Sequence, residues 1–502
     1  MSEPGATGPA LAALNAGKLD ACLAALRGLG RAAADDPLAL QIWALAAARA
    51  GRPADALALL ERAARIAPHE PQAHFNLAVS LQAIDETARA MSHYVQALRL
   101  DPAHLGALNN LSDLLRRRGR PTEGWALMQR YLAAGGRSTG LEIRLAKLAM
   151  DLRRFDEAGP WFAAAEAYAP GDASVEWEHA MLRLVVEDFA GGWPRYERRL
   201  DSFGLDRLGV YPYEIPRWTG EPVAGRRLLL HREQGLGDTI MFARCFGGLL
   251  DEGAELHLAV HPPLARLLAF NFPGARTWAS FTLAGAGRQP EQRWLQAAGP
   301  LDLQAPVCSL GALRLADGVP AAPGYLAADP TDVDRWAERL DALAGPAKRV
   351  RRVGLALGTR QVRWSDDGAT NAGRKTLTAD AAASLADARA VQWIGLHDRE
   401  TAGLLVDVPR LAVVDPSPWI TDLADTAAVI ANLDLVVSAD TAVAHLAAAM
   451  GKPVLLMLWW NADWRWGVDR TDSYWYPHVQ TLRQPAPGQW GPVVEAVLRA
   501  LG

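Results

Sequence analysis

Apolar positions recur along the chain with two different spacings, which divide it into two parts. From the N-terminus to about residue 200, they follow the three- and four-residue spacing of amphipathic helices. Beyond this point, short apolar runs such as Leu228–Leu230 and Val454–Leu458 alternate with helical patterns. Short buried strands separated by helices are typical of parallel α/β sheets. The pattern therefore predicts a multidomain chain with an α-helical first part and an α/β second part.

The helical part repeats with a period of about 34 residues. Prolines that follow or begin helical patterns lie one or two periods apart, and these are Pro37, Pro68, Pro71, Pro102 and Pro170. Each unit contains an apolar helix, a turn with Gly or Asp, and a second helix rich in small residues. This arrangement resembles the tetratricopeptide (TPR) repeat, whose helix pairs stack into a solenoid with a continuous core. We predict about five repeats, closed by a helix near Trp177–Arg199.

A solenoid of this kind has a concave surface on which a peptide or protein can dock. Asn76, Asn109 and Asn110 are candidates for binding an extended backbone, because an amide side chain both donates and accepts hydrogen bonds. The same asparagines would also suit solvated or turn-capping positions. The repeats predict a docking surface but do not identify its partner.

Three prolines interrupt regular structure between residues 201 and 227, where the repeat pattern stops. We therefore predict a repeat domain over 1–200, a linker over 201–227, a first α/β lobe over 228–347 and a second over 348–502.

A glycine-containing turn joins the first predicted strand of the α/β part to a helix over Thr239–Leu250. Gly235 and Gly237 permit a positive φ or the close approach of a ligand. Asp238 would begin the helix at the carboxyl edge of the sheet, where binding sites of α/β proteins lie. The alternative is that Asp238 only caps the helix.

A second turn of this type follows the apolar run that ends at Val437 and opens the helix Ala442–Met450. Backbone N–H groups and the positive end of the helix dipole make such a turn an anion site. Ala442, Ala444 and Ala447 add little bulk, so a ligand phosphate could approach the backbone closely. The alternative is that Asp440 only caps the helix. His445 is either a ligand residue or the partner in a structural hydrogen bond.

Two further clusters in the last third of the chain have both a functional and a structural interpretation. Arg360, Arg363, Arg374 and Lys375 follow the strand predicted at Arg349–Leu357, where they would neutralise a diphosphate or belong to a solvated loop. The aromatic residues beyond Leu458 would stack on a base or sugar, or pack in the core, and they are Trp459, Trp460, Trp464, Trp466, Trp475 and Tyr476.

Composition excludes several classes of protein. The formal net charge of the 502 residues is −4, too small to indicate bulk attraction to nucleic acid or membranes. Three distant cysteines form no disulfide framework or zinc motif and suit a reducing compartment. The N-terminus lacks the features of a signal peptide, and no apolar stretch reaches the ~18 residues that would span a membrane. We expect a cytoplasmic protein.

The segments EQGLGDTIMFAR and SADTAVAHLAAAMGKP resemble paired motifs of the ADP-heptosyltransferase-like (family 9-like) glycosyltransferases, which have the GT-B fold of two Rossmann-like lobes. With the repeats before them, the layout resembles bacterial TPR-containing glycosyltransferases, some of which modify flagellin or other proteins. The resemblance implies that Asp238 is the catalytic base and that Lys375 or Arg374 contacts the donor phosphate. It also places a set of residues at the donor, namely Gly235, Gly237, Asp440, Thr441, Ala442 and His445.

We therefore expect a metal-independent glycosyltransferase that needs no cofactor beyond its nucleotide-sugar donor. The acceptor would be a hydroxyl on a protein docked by the repeats, with flagellin the most specific candidate. Asp366 and Asp367 lack the spacing of a metal-binding DxD motif. One alternative is a non-catalytic TPR scaffold with a degenerate glycosyltransferase domain. Another is a sugar-nucleotide enzyme of a different type, such as an epimerase.

Overall fold

The computed structural model describes residues 6–30, 35–137, 139–203, 208, 210–280, 289–320, 322, 324–345, 350–358, 375–397, 403–406 and 408–502. The chain forms two compact units, Met1–Tyr168 and Ala169–Gly502. No helix in these described ranges is long and apolar enough to cross a membrane.

The first unit contains five consecutive helix pairs. Their ten helices are α1 (Gly8–Asn15), α2 (Leu19–Gly28), α3 (Pro37–Arg49), α4 (Pro53–Ile66), α5 (Pro71–Ala83), α6 (Thr87–Leu100), α7 (Leu105–Arg117), α8 (Pro121–Ala133), α9 (Thr139–Asp151) and α10 (Phe155–Tyr168). From α3 onward, the first helices of successive pairs begin at an equal spacing, at positions 37, 71, 105 and 139. Several helices begin with proline, which suits the first turn because its backbone nitrogen needs no hydrogen-bond partner there. The predicted repeat architecture is confirmed.

Small residues allow these helices to pack closely. Ala44, Ala78, Ala90 and Ala97 are buried between successive helices and pack in one cluster with the ring of Tyr94. A continuous core of this kind arises when each pair buries the apolar face of the preceding pair.

A sixth helix pair continues the period but belongs to the second unit. It comprises α11 (Ala173–Val185) and α12 (Phe189–Tyr196), followed by the short helix α13 (Arg199–Ser202). Trp193 and Tyr196 are fully buried, and their rings lie 5.4 Å and 6.0 Å from that of Trp464. The segment predicted to close the repeats therefore packs into the α/β unit, and the division falls at residue 168 rather than within 201–227.

The first sheet has four parallel strands, β1 (Arg227–His231), β2 (Glu255–Val260), β3 (Arg276–Ala279) and β4 (Leu303–Pro306), in the order β3-β2-β1-β4. Its helices are α14 (Leu236–Phe242), α15 (Phe246–Asp251), α16 (Ala265–Asn271), α17 (Gln289–Ala298), α18 (Leu310–Arg314) and α19 (Pro330–Ala344). The helix predicted over Thr239–Leu250 begins earlier and is divided by a 3₁₀ turn at Ala243–Cys245.

The second sheet has six parallel strands, β5 (Arg351–Ala356), β6 (Val391–Gly395), β7 (Val413–Val414), β8 (Leu435–Ala439), β9 (Val454–Leu458) and β10 (Val479–Arg483). Its helices are α20 (Ala379–Ala383), α21 (Gly403–Val406), α22 (Leu423–Ala431), α23 (Ala442–Ala449) and α24 (Gly491–Leu501). The predicted fold class, a helical repeat array followed by two parallel α/β lobes, is confirmed.

The strand orders identify where each sheet reverses direction. The second sheet runs β10-β9-β8-β5-β6-β7, so successive strands are added outward in both directions from β5. The reversal lies between β5 and β8, and in the first sheet it lies between β1 and β4. Ligands of open α/β sheets bind outside the carboxyl ends of strands at such a switch point. The loops after β1, β5 and β8 are therefore the first places to examine for a site.

Candidate functional site

Asp238 lies in the turn after β1, as the third residue of α14. Its Oδ2 accepts the backbone N–H of Gly235 at 2.9 Å, which closes the start of the helix. The positive φ in this turn belongs to Gln234, at 55°, whereas Gly235 has an extended backbone that other residues also adopt. Gly237 is required for another reason, since a Cβ there would lie 2.8 Å from Cδ2 of His445. Neither glycine therefore adopts the positive φ that the sequence suggested, and Gly237 serves the close approach of α14 to His445.

Asp440 lies in the turn after β8, directly before Thr441, the N-cap residue of α23. The structure contradicts the alternative that Asp440 caps this helix, because α23 has no side-chain cap. Instead, Asp440 Oδ1 accepts the indole N–H of Trp466 at 2.9 Å, and Oδ2 lies 2.6 Å from Nζ of Lys375. The lysine contact is an ion pair rather than a well-directed hydrogen bond, since Oδ2 has no partner with hydrogen-bond geometry among the described residues.

The charge of Asp440 is stabilised by its neighbours. Burial alone would raise the pKa of Asp440, but Lys375, His445 and the Trp466 N–H together bring this pKa down to about 2. Burial lowers the pKa of Lys375, and Asp440 and Asp463 more than reverse that effect. Both partners are therefore ionised at neutral pH.

Only part of the predicted basic cluster is described. Lys375 follows β5 in the chain, and Asp440 follows β8. These are the two strands at the switch point of the second sheet, and the two side chains form an ion pair. Arg360, Arg363 and Arg374 lie outside the described residues, as do Asp366 and Asp367. Of the two residues predicted to contact the donor phosphate, Lys375 and Arg374, the structure describes Lys375.

His445 lies on the buried side of α23, where it contacts the first lobe. Its Nδ1 is 2.9 Å from the hydroxyl of Tyr476, and its ring centroid is 5.0 Å from that of Trp466. Burial lowers the pKa of His445 to about 4, so the imidazole is neutral at physiological pH. Its contacts match the structural alternative, a fixed hydrogen-bonded side chain against which Gly237 packs.

Arg465 is a site residue that the sequence analysis missed. It lies in a 3₁₀ turn, Trp464–Trp466, where its guanidinium donates from Nη2 to Asp238 Oδ1 and from Nη1 to Asp463 Oδ1 at 2.6 Å. Burial lowers the pKa of Arg465, but Asp238 and Asp463 raise it by more. The adjacent Trp466 donates to Asp440, so two consecutive residues connect the two predicted aspartates. The feature of the sequence that could have indicated this role is a single basic residue between two tryptophans.

Most of the predicted aromatic cluster is core. Trp464, Trp466, Trp475 and Tyr476 are buried, and Trp464 and Trp475 pack with ring centroids 5.9 Å apart. The core-packing alternative therefore describes these four residues. Trp459 and Trp460 remain partly exposed at the end of β9.

A separate cavity of about 970 Å³ lies near the carboxyl ends of β1 and β4. Its lining includes aromatic and polar side chains, among them Tyr211, Tyr213, Arg217, His231 and Gln304. The Tyr211 and Tyr213 ring centroids lie 4.8 Å apart. None of the predicted site residues lines this cavity.

The three predicted docking asparagines have different environments. Asn76 donates to Gln41 Oε1 at 2.7 Å and accepts from Gln72 at 2.9 Å. Asn110 donates to the hydroxyl of Tyr94 at 3.0 Å. Within the described residues, the buried Oδ1 of Asn109 has no hydrogen-bond partner. Because this oxygen is itself buried, a peptide docked on the surface would not reach it in the described conformation.

The described ranges contain no group of three or more His, Cys, Asp or Glu side chains arranged to hold a metal ion.

Comparison with known proteins connects this geometry to a family. Residues 420–457 match the model of glycosyltransferase family 9 (heptosyltransferase), a span that includes α22, β8, α23 and most of β9. The protein FlbA of Caulobacter vibrioides is 27% identical over 443 residues, covering 85% of this chain and 72% of FlbA.

Solved TPR proteins are also similar to part of this chain. A TPR protein from Parabacteroides merdae is 19% identical and has a TM-score of 0.35. The match covers 38% of this chain and 77% of the Parabacteroides protein. Another, from Thermus thermophilus, is 19% identical and has a TM-score of 0.30. The match covers 34% of this chain and 93% of the Thermus protein. The family match supports glycosyl transfer, and the chain combines a TPR-type helical array with a family 9-like glycosyltransferase region.

Proposed function

We propose that the second unit transfers a sugar from a nucleotide-sugar donor to an acceptor hydroxyl without requiring a metal. The observation that carries this proposal is the connection of Asp238 to Asp440 through Arg465 and Trp466. It brings a carboxylate from the first lobe close to the turn of Asp440, which lies within the family 9 match and pairs with Lys375. A base opposite a diphosphate subsite is what sugar transfer requires.

The acceptor hydroxyl is a weak nucleophile, so its proton must be removed as it attacks. Asp238 is the proposed base, since the adjacent residues Arg465 and Trp466 join it to the donor turn. The first backbone N–H groups of α23 at Thr441 and Ala442 have no intrahelical acceptors, and together with Lys375 they would stabilise the departing diphosphate. Arg374 remains a second candidate for that contact.

We propose that the acceptor is a protein that docks on the helical repeats, in the cytoplasm. The array of stacked helix pairs supports this proposal, because solenoids of this kind present a concave surface on which a peptide or protein can dock. Flagellin is the first acceptor to test.

One observation favours the scaffold alternative. In the described structure Asp238 is already hydrogen bonded through both oxygens, to Gly235 and to Arg465, so the proposed base is not free. A protein whose catalytic carboxylate was permanently occupied would bind its partner without transferring sugar.

Sugar transfer is tested by incubating the intact protein with UDP-, GDP-, CDP- and ADP-sugars and a flagellin acceptor, with mass spectrometry of the acceptor. We expect Asp238→Asn to lower the rate about 10²–10⁴-fold, the typical contribution of a positioned base. Asp251→Asn is the matched control, because Asp251 is an exposed residue at the end of α15 in the same lobe. Undiminished transfer by Asp238→Asn would refute the base assignment, and no donor consumption by the wild-type protein would favour the scaffold.

A further inference from the structure

Five charged side chains converge where the two turns meet, and their charges do not balance. Lys375 and Arg465 are the cations, and Asp238, Asp440 and Asp463 are the anions. His445, which also faces this cluster, is neutral because burial lowers its pKa to about 4. A diphosphate that entered this cluster would meet a net negative charge unless the cations turned from their carboxylates toward it.

Arg465 is the cation that pairs with the carboxylate of the first turn, and the adjacent Trp466 contacts Asp440 of the second turn. Its guanidinium contacts Asp238 and Asp463, packs 4.2 Å from the ring centroid of Trp464, and is 11% exposed. A guanidinium presents two parallel N–H donors, a geometry that fits phosphate as well as carboxylate. Arg244, by comparison, donates to the carbonyl of Trp475 and lies over aromatic rings.

We propose that the donor diphosphate draws Arg465 away from Asp238 and thereby releases Asp238 Oδ1 to receive the acceptor proton. This inference rests on the proposed function and assigns Arg465 as a donor-binding residue that also controls whether Asp238 is free. Donor binding then precedes activation of the acceptor. In the transfer step, the acceptor O–H proton passes to Asp238, the acceptor oxygen bonds to the anomeric carbon, and the bond to phosphate breaks with its electron pair leaving on the nucleoside diphosphate.

Replacing a binding-site residue usually weakens ligand binding, but replacing Asp238 should strengthen it. Asp238→Asn should tighten nucleoside diphosphate binding, because Arg465 no longer has to leave a carboxylate. We expect about 5–30-fold tighter binding, which lies within the range observed for residues in direct contact. Arg465→Met should weaken binding about 10-fold or more, and in that background Asp238→Asn should change the affinity less than about twofold.

The experiment titrates the intact protein with UDP, GDP, CDP and ADP by calorimetry for the wild type, both single variants and the double variant. If Asp238→Asn strengthens binding as much in the Arg465→Met background as in the wild type, the effect is only the loss of repulsion between Asp238 and the diphosphate. That result would overturn the proposal. Arg465→Met binding as the wild type does would overturn it as well. If Arg465→Met fails to fold, Arg465→Lys provides the test. This variant should bind diphosphate more weakly than the wild type, and adding Asp238→Asn to it should still strengthen binding.

Arg470→Met is the matched control, since Arg470 also pairs with two carboxylates, those of Glu187 and Asp472, outside the cluster. It should leave diphosphate affinity unchanged. The two levels of proposal fail differently. If the wild-type protein binds none of the four diphosphates, the proposed function fails together with the role of Arg465. If the protein binds and turns over a donor but the double-variant cycle shows no coupling, only the role of Arg465 is lost.

Discussion

The turns after β1 and β8 occupy equivalent positions, each at the carboxyl end of a strand beside the switch point of its sheet, yet their carboxylates are held differently. In the first turn, Glu233 and Asp238 pair with arginines from other elements, Arg199 of α13 and Arg465 of the 464–466 turn. In the second, Asp440 pairs with Lys375, which follows another strand of its own sheet. Topology determines where a turn lies, and the partners recruited around it determine what its carboxylates can do.

The first turn should depend strongly on α13, the short helix that follows the sixth helix pair. Arg199 and Glu233 are both fully buried and form two hydrogen bonds, at 2.6 Å and 2.7 Å. Arg199→Met would leave Glu233 buried without its cation, which typically costs about 3–5 kcal/mol. We expect faster hydrogen exchange in β1 and α14 and a lower unfolding midpoint.

Arg198→Met is the control for that variant, because Arg198 forms ion pairs at the surface with Glu176 and Asp201 and is 36% exposed. It should cost less than about 1 kcal/mol. If both variants lost equal stability, the buried pair would not be what ties α13 to the first turn.

The second turn should be the more sensitive to acid. The pKa of Asp440 is lowered from its ordinary value of 3.8 to about 2, so its stabilising effect is complete above pH 4 and is lost as the pH falls toward 2. A shift of this size corresponds to about 2 kcal/mol. Urea unfolding at several pH values, followed by near-UV circular dichroism, should show a smaller stability loss between pH 4 and pH 2 for Asp440→Asn than for the wild type. Asp251→Asn should keep the wild-type slope.

The contact between the turns can be tested through Gly237. A Cβ at this position would lie 2.8 Å from the His445 ring, so Gly237→Ala must push α14 and α23 apart. We expect a loss of about 1–3 kcal/mol, typical of overpacking. Gly247→Ala in α15 is the matched control, because a Cβ there meets nothing within 4 Å, and it should stabilise the helix by about 0.5–1 kcal/mol. Equal effects on thermal unfolding would contradict the close approach.

Several elements were predictable because their determinants are local. The strand Val454–Leu458 has the predicted bounds, β8 extends two residues beyond the apolar run predicted to end at Val437, and α23 ends one residue before its predicted end. Apolar runs followed by small-residue helices produce such elements wherever they occur. The repeat period similarly predicted the helix pairs, and the structure shows that it extends one pair further than predicted.

The role of the sixth pair was not predictable from its period. Its first helix follows α9 at the same spacing as in the preceding repeats, but Trp193 and Tyr196 are buried among residues of the α/β unit, as is Arg199 of the following helix α13. A periodic pattern shows which face of a helix is apolar but not which neighbour covers it. The same limit explains why the tryptophans beyond β9 had two interpretations.

The sequence by itself determined the helix pairs, the parallel strands and the two turns with Asp238 and Asp440, because these follow from short-range periodicity and backbone preferences. Only the tertiary structure decided that Arg465 holds Asp238, that Lys375 pairs with Asp440 and that His445 is neutral. These contacts join residues up to 227 positions apart in the chain, as in the Asp238–Arg465 pair. Ion pairing and desolvation depend on distances that arise only when the lobes pack.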